Sequence, residues 1–325
     1  MRTICGVVAA LLSVWLATGE ALAQAAYPDK PIRILIGFSP GVAPDVTSRL
    51  MGDKFNESWA KGVAVENVTG AGGNLAVERV AKAAPDGYTL LMGGNAALVI
   101  NPNLMDKLSY DPLKDFAYIT QIFIVPNLVV VPPDVPANSI QELIALAKAN
   151  PDYFVAGHAG IGTSQHLGGE VFMAMTGVKF QQVPYRGTTQ ILPDLLGGRL
   201  NLLFGNISNV LPLVREGKLR AFAITSRKRS PQIPDLPTME ELGFKDFEAT
   251  AWFGLMAPAG TPQPILDKLY AETVKVLAMP DVRQKLEGLG LQLVGNTPAE
   301  FLEVIKKETP MWGKVIKDAG IKMAQ

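Results

Sequence analysis

Cysteine occurs once in the 325 residues, histidine twice, and the 30 basic side chains are matched by 30 acidic ones. One cysteine excludes a disulfide scaffold, and together with two histidines it excludes most metal frameworks. No metal site and no cofactor is implied. Zero net charge, at only 18% charged residues, argues against a nucleic-acid binder, which carries a basic face or tail. It also removes a bulk positive field as a means of collecting an acidic ligand. No phosphate loop and no true GxGxxG is present,. After residue 23 no stretch reaches the roughly 20 apolar residues of a membrane span without charge or proline,.

The single cysteine lies in an unusual place. Met1-Arg2-Thr3 is followed by an apolar run from Ile4 to Ala17 and then by Ala21-Leu22-Ala23. A short basic start, a short apolar region and a small-x-small site describe a secretory signal peptide, expected to be cleaved after Ala23. Cys5 lies at the very start of that run, not next to the cleavage site where a lipoprotein acceptor cysteine stands. Residues 1–23 are therefore expected to be removed. The exported chain then has no cysteine and stays neutral, because Arg2 and Glu20 leave together.

From Pro31 onward, strand-like and helix-like stretches alternate. Ile32–Ile36 is a β-branched run ending in a Gly/Pro loop,. Pro44-Asp45 opens a helix with Val46, Leu50, Met51 and Phe55 on one face, stopping near Gly62,. Val63–Glu66 and Tyr88–Met92 read as the next strands, followed by the loops Gly70–Asn74 and Gly93-Gly94-Asn95. A second series begins with Leu128–Val131. It continues through a helix capped by Ser139, a strand at Tyr153–Ala156, and a helix capped by Thr163 or Ser164 with Leu167, Val171, Phe172 and Met175 on one face,. Further strands are expected near Phe180–Val183, Leu200–Phe204, Leu219–Ile224 and Phe247–Met256, with Pro264 to Gln325 mostly helical. Such units imply an α/β fold with a parallel sheet between helical layers. The chain is expected to form two domains, 24–127 with 251–325 and 128–250, joined by two crossings near Asn127 and Ala251. Two crossings make a hinge, and a cleft between domains is a common ligand location.

Three glycine-containing loops each join a strand to a helix: Ser39–Pro44, Gly70–Asn74 and Gly157–Thr163. In open α/β sheets ligands bind beyond the carboxyl ends of strands. A helix start there presents unpaired N–H groups and a partial positive charge. A carboxylate can be held in this way without Arg or Lys, which suits a neutral chain. Tight-turn chemistry alone also explains each glycine, but three equivalent loops favour an anion site. Ser164 and His166 are two residues apart in a first helical turn and do not face each other, so a nucleophile–base pair is disfavoured. His158 with His166 lacks a carboxylate at ligand spacing. Arg186, in Pro184-Tyr185-Arg186-Gly187-Thr188, reads equally as a carboxylate partner or as a structural salt bridge,.

Several segments in order are similar to the Bug-family receptors of tripartite tricarboxylate transporters. They are Tyr27–Arg33, Val65-Glu66-Asn67 with Gly70–Gly73, Pro85–Leu90, Val183–Gly187, Asp194–Gly198, Pro237–Gly243 and Ala257–Pro262. The resemblance covers nearly all of the chain after residue 23. It implies a type II periplasmic binding fold that closes around a di- or tricarboxylate, an acidic amino acid or an aromatic acid. It further implies a periplasmic monomer that docks on membrane permease subunits, with no catalytic residue. One departure concerns the first loop, usually Pro-Phe-Pro-Pro-Gly-Gly-x-x-Asp. Here it is Gly37-Phe38-Ser39-Pro40-Gly41-Val42-Ala43-Pro44-Asp45. Val42 replaces a glycine and Pro44 removes an N–H donor.

The expected ligand contacts are Phe38, Ser39, Gly41, Val42, Gly72, Asn95, Gly160, Gly162, Thr163, Ser164, His166, Arg186 and Asn206. Asp45 belongs with them as a loop or helix cap. With Gly205-Asn206 in place of an acidic residue, an ammonium group has no counterion. The expected ligand is a plain carboxylate with an apolar or aromatic body. An exported hydrolase using Ser164 and His166, and a receptor feeding a membrane sensor, are the alternatives.

Overall fold

A computed structural model describes residues 27–105, 107–185, 187–318 and Gly320. The signal-peptide expectation, with Cys5 and the site after Ala23, lies outside the described residues, as does Arg186.

Strand β1 (Ile32–Ile36) sits between β2 (Val63–Asn67) and β3 (Thr89–Gly94), parallel to both. Its alternation serves two layers. Ile32, Ile34 and Ile36 face one buried cluster with Met51 and Phe55 of α1 (Ala43–Trp59). Leu35 faces another with Val77 and Val80 of α2 (Asn74–Ala81). A strand with apolar side chains on both faces needs a helix layer on each. After β3 comes a five-residue π-helical turn, Ala96–Ile100, and the short helix α3 (Asn101–Leu104).

Strand β4 (Phe116–Val131) is 16 residues long and serves two sheets. Its first part pairs antiparallel with β9 (Thr250–Pro258) and β10 (Gln292–Leu293). Its last residues pair antiparallel with β7 (Leu203–Asn206) and β8 (Arg220–Ile224). Strands β5 (Val155–His158) and β6 (Gln181–Pro184) are parallel and join β7 through a bridge from Ala156 to Leu202. Helices α4 (Ile140–Ala149), α5 (Ser164–Thr176), α6 (Thr188–Leu196) and α7 (Ile207–Arg215) belong to this second α/β domain. Its own core includes Val129, Phe154, Phe172, Phe204 and Phe247. Helices α8 (Gln263–Leu277), α9 (Pro280–Gly288) and α10 (Pro298–Asp318) return to the first sheet.

Four expectations change. The main sheet is mixed rather than parallel, because β4 and β9 run in opposite directions side by side. Gly93 and Gly94 extend β3 instead of forming a loop. They are strand residues without side chains because Phe253 and Met256 fill that space; a Cβ on Gly94 would lie 2.8 Å from the Phe253 ring. On α1 the fully buried positions include Thr47 and Ser48, while Val46 and Leu50 are half-buried. On α5 Met175 is exposed. Among the described residues no helix is long and apolar enough to cross a membrane.

Candidate functional site

Four helices of nine residues or more begin on one cavity. The residues preceding them are Val42 (α1), Thr163 (α5), Gly187 (α6) and Asn206 (α7), and all four stand on its wall. Asn95, before the π-helical turn, joins them. A helix start leaves its first N–H groups without intrahelical partners. Thr163 caps α5 through a hydrogen bond from the His166 N–H to its Oγ1, 3.4 Å. Val42, Gly187 and Asn206 supply no such side-chain bond to their helices. Pro44 costs α1 one donor, as the sequence suggested. The remaining wall is largely apolar, with Phe38, Ala43, Val125, Ala251 and Phe253. No charged side chain stands on it among the described residues.

Buried amides organise the floor. Asn127 is fully buried on β4. Its Nδ2 donates to the Ala249 carbonyl (2.9 Å), and its Oδ1 accepts from Asn206 Nδ2 (2.7 Å) and Ser164 Oγ (3.4 Å). Its N–H donates to Thr225 Oγ1 at 2.9 Å, and Thr225 Oγ1 donates to the Ala249 carbonyl at 2.7 Å. The two chain crossings are thereby tied to each other and to the start of α7. Gln165 Oε1 accepts the Ala159 N–H at 2.9 Å, and its Nε2 donates to Thr188 Oγ1 (3.0 Å) and Asn206 Oδ1 (3.5 Å). Asn95 Nδ2 donates to the Thr250 carbonyl at 2.9 Å.

Of the expected ligand contacts, Phe38, Ser39, Val42, Asn95, Thr163, Ser164 and Asn206 come together on this cavity. Gly72 and Gly160 stand with Phe38 on an adjoining one. Gly41, Asp45, Gly162 and His166 line neither, for physical reasons. The Asp45 carboxylate accepts the Gly41 N–H (2.9 Å), Arg49 Nε (3.0 Å) and Asn67 Nδ2 (3.0 Å), and so braces the first loop from behind. Burial pushes this carboxyl up, but those three donors outweigh it and hold it below the usual range,. The Gly162 N–H donates to His166 Nδ1 at 3.3 Å, turning that ring under its loop. The wall residues Gln165 and Thr188, and the buried hub Asn127 behind the wall, are absent from the sequence-derived contacts. The first two sit in helix-start segments that the sequence had singled out, and Asn127 was marked only as a crossing.

His158 and His166 lie with ring centroids 4.7 Å apart. The expectation of no carboxylate at ligand spacing is corrected: Glu170 stands four residues after His166 on α5, and its Oε1 is 3.7 Å from His166 Nε2,. Burial, with His158 alongside, pushes His166 down to about 3, and burial also lowers His158. Both rings are therefore neutral at pH 7 and serve as acceptors for the Gly162 and Gly160 N–H groups. Ser164 Oγ is bonded to Asn127 and His166 to Gly162, so the two do not form a nucleophile–base pair. Among the described residues no group of three His, Cys, Asp or Glu side chains could hold a metal ion.

The two halves touch through their loops. A Cβ on Gly72 would lie 2.9 Å from the Ile161 carbonyl oxygen, and one on Gly187 would lie 2.5 Å from Ser39 Oγ. The cleft is therefore shut in this structure.

Comparison with known proteins gives a consistent picture. The family model described as the tripartite tricarboxylate transporter family receptor matches residues 47–321. The solved periplasmic binding protein BugD is 35% identical, with 91% of this chain and 99% of that one aligned and a TM-score of 0.86. An R. palustris protein solved with adipate is 33% identical, over 91% of this chain and 99% of that one, with a TM-score of 0.88. MatC from Rhodopseudomonas palustris, solved with bound malate, is 32% identical over 89% and 100%, with a TM-score of 0.84.

Proposed function

The chain belongs to the tripartite tricarboxylate transporter receptor family, and on that footing we propose that it is an exported receptor for a small carboxylate. Residues 1–23 are removed and the remainder works in the periplasm as a monomer. Two domains, 24–127 with 251–325 and 128–250, close about a hinge at Asn127 and Ala249–Ala251. The closed form hands its ligand to membrane permease subunits, and no bond in the ligand is broken.

One observation carries this reading: four helix starts converge on a cavity that has no charged side chain among its described lining residues. Aligned N–H groups hold an anion without a cationic partner. Ser39, Thr163, Ser164 and Asn206 add polar side chains to the same wall, with Phe38, Val42 and Asn95 beside them. Arg186 is proposed as a further contact at the cleft. Relatives solved with adipate and with malate support a carboxylate as the ligand class. With no acidic side chain among the described lining residues, an amino acid is disfavoured, because its ammonium group needs a counterion.

Native mass spectrometry of the freshly purified protein tests the proposal, followed by titration calorimetry with a panel of carboxylic acids. The expected result is one acid per chain, with the Ser164 hydroxyl turning from its long 3.4 Å bond to Asn127 Oδ1 toward the acid and Ser164→Ala weakening binding by about tenfold, the worth of one hydrogen bond to a charged group,. Tight binding of aspartate or glutamate with no simple carboxylate bound would overturn the ligand class.

A further inference from the structure

The cavity at the helix starts adjoins a second one, with Phe38 and Ala159 on the walls of both. The two differ greatly in size. The inner chamber is about 30 Å³ and the outer about 250 Å³. The helix starts stand on the narrower inner one, and the adjoining outer chamber has the room for the rest of a ligand.

The outer wall is apolar. Phe38, Met105, Pro184 and Tyr185 contribute to it together with the backbone of the Gly70–Gly73 and Gly160 loops. The polar ends there are engaged: Tyr185 donates its hydroxyl to Asp194 at 2.6 Å, and Asn101 Nδ2 donates to Asn74 at 2.8 Å. Phe38 is held edge-on against Phe253, centroids 5.4 Å apart, and a Cβ on Gly73 would press on its ring at 3.3 Å. The ring thus forms a fixed threshold between the chambers.

We propose that the outer chamber binds the uncharged body of a ligand whose carboxylate occupies the inner one. The substrate class is then a monocarboxylic acid with an aromatic or medium-length alkyl body. This rests on the carboxylate reading above and makes it more specific.

Calorimetry of the purified protein with straight-chain monoacids, acetate to octanoate, together with 3-phenylpropanoate, malate and adipate, provides the test. Affinity rises about fourfold per methylene while the body enters the outer chamber, then stops rising once the chamber is full. Met105→Trp moves that break to a shorter acid, and Met105→Ala moves it to a longer one. Hexanoate binds more tightly than adipate. A flat series, a break unmoved by both Met105 variants, or adipate binding more tightly than hexanoate overturns the two-chamber assignment but leaves the carboxylate reading intact. No binding of any acid overturns both.

Discussion

Asp45 is an acidic residue at the start of a helix aimed at the proposed anion site, and its geometry resolves the conflict. Its two oxygens point back to Gly41, Arg49 and Asn67, so the charge is spent on the loop. Arg49 is half exposed, so its share is screened, and the Gly41 and Asn67 bonds dominate,. Asp45→Ala should cost about 2 kcal/mol by urea unfolding. A carboxyl held below its ordinary value contributes stability that is present above that value and lost as pH falls through the folded one,. The Asp45→Ala penalty should accordingly shrink below pH 4. The imidazoles work in the other direction of shift. Both are lowered, so below about pH 6.5 the unfolded chain takes up protons that the folded chain refuses, and stability falls on acidification,. For His166 this window runs down to about 3. Its slope approaches about 1.4 kcal/mol per pH unit. Glu170 and Glu308, pushed up by burial, oppose it at the acid end. Comparing urea midpoints of the parent and His166→Asn from pH 7 to 5 isolates the one ring; parallel curves would contradict it.

Strands and helix starts were the parts of the fold most open to reading from sequence. β1 falls on Ile32–Ile36 as its β-branched run suggested, and Ser139 caps α4 with its Oγ accepting the Glu142 N–H at 3.1 Å. These are local signals of side-chain pattern and cap chemistry. The first half of β4 was not legible. Register shifts between Tyr118 and Thr120 and between Gln121 and Phe123 break its alternation, and Pro126 looks like a stop. Its antiparallel pairing with β9 joins segments more than a hundred residues apart, which no local pattern records. The site followed the same division. The helix-start residues Val42, Thr163 and Asn206 were visible, whereas the Asn127 hub depends on three chain segments meeting. Loop contact across the cleft gives a test at this scale. Gly187 has extended backbone, so alanine there adds no backbone strain, only a Cβ 2.5 Å from Ser39 Oγ. Gly187→Ala should disfavour closure and weaken ligand affinity by about tenfold, because affinity scales with the population of the closed state. Adding Ser39→Ala removes the atom that collides and should recover part of the loss. Additive losses in the double variant, measured by calorimetry, would show that the contact does not control closure.

At the scale of the whole molecule, the balance of 30 basic and 30 acidic side chains describes how a ligand arrives as well as how it is held. Long-range steering needs a field of one sign, and it raises association rates by tenfold or more at low salt. Here the net charge is zero, and no charged side chain stands on the inner wall among the described residues. In the proposed site attraction comes from helix starts, whose influence falls off within the first turn. It acts only after the ligand has entered the cleft. With no steering to screen, stopped-flow association of a bound carboxylate should change less than about twofold between 20 and 200 mM salt. Dissociation should carry most of the affinity differences among ligands, because the shut cleft has to reopen before an acid can leave. A steep fall of the association rate with salt would place a cationic group on the path of entry, and Arg186→Gln would then be the variant to flatten it.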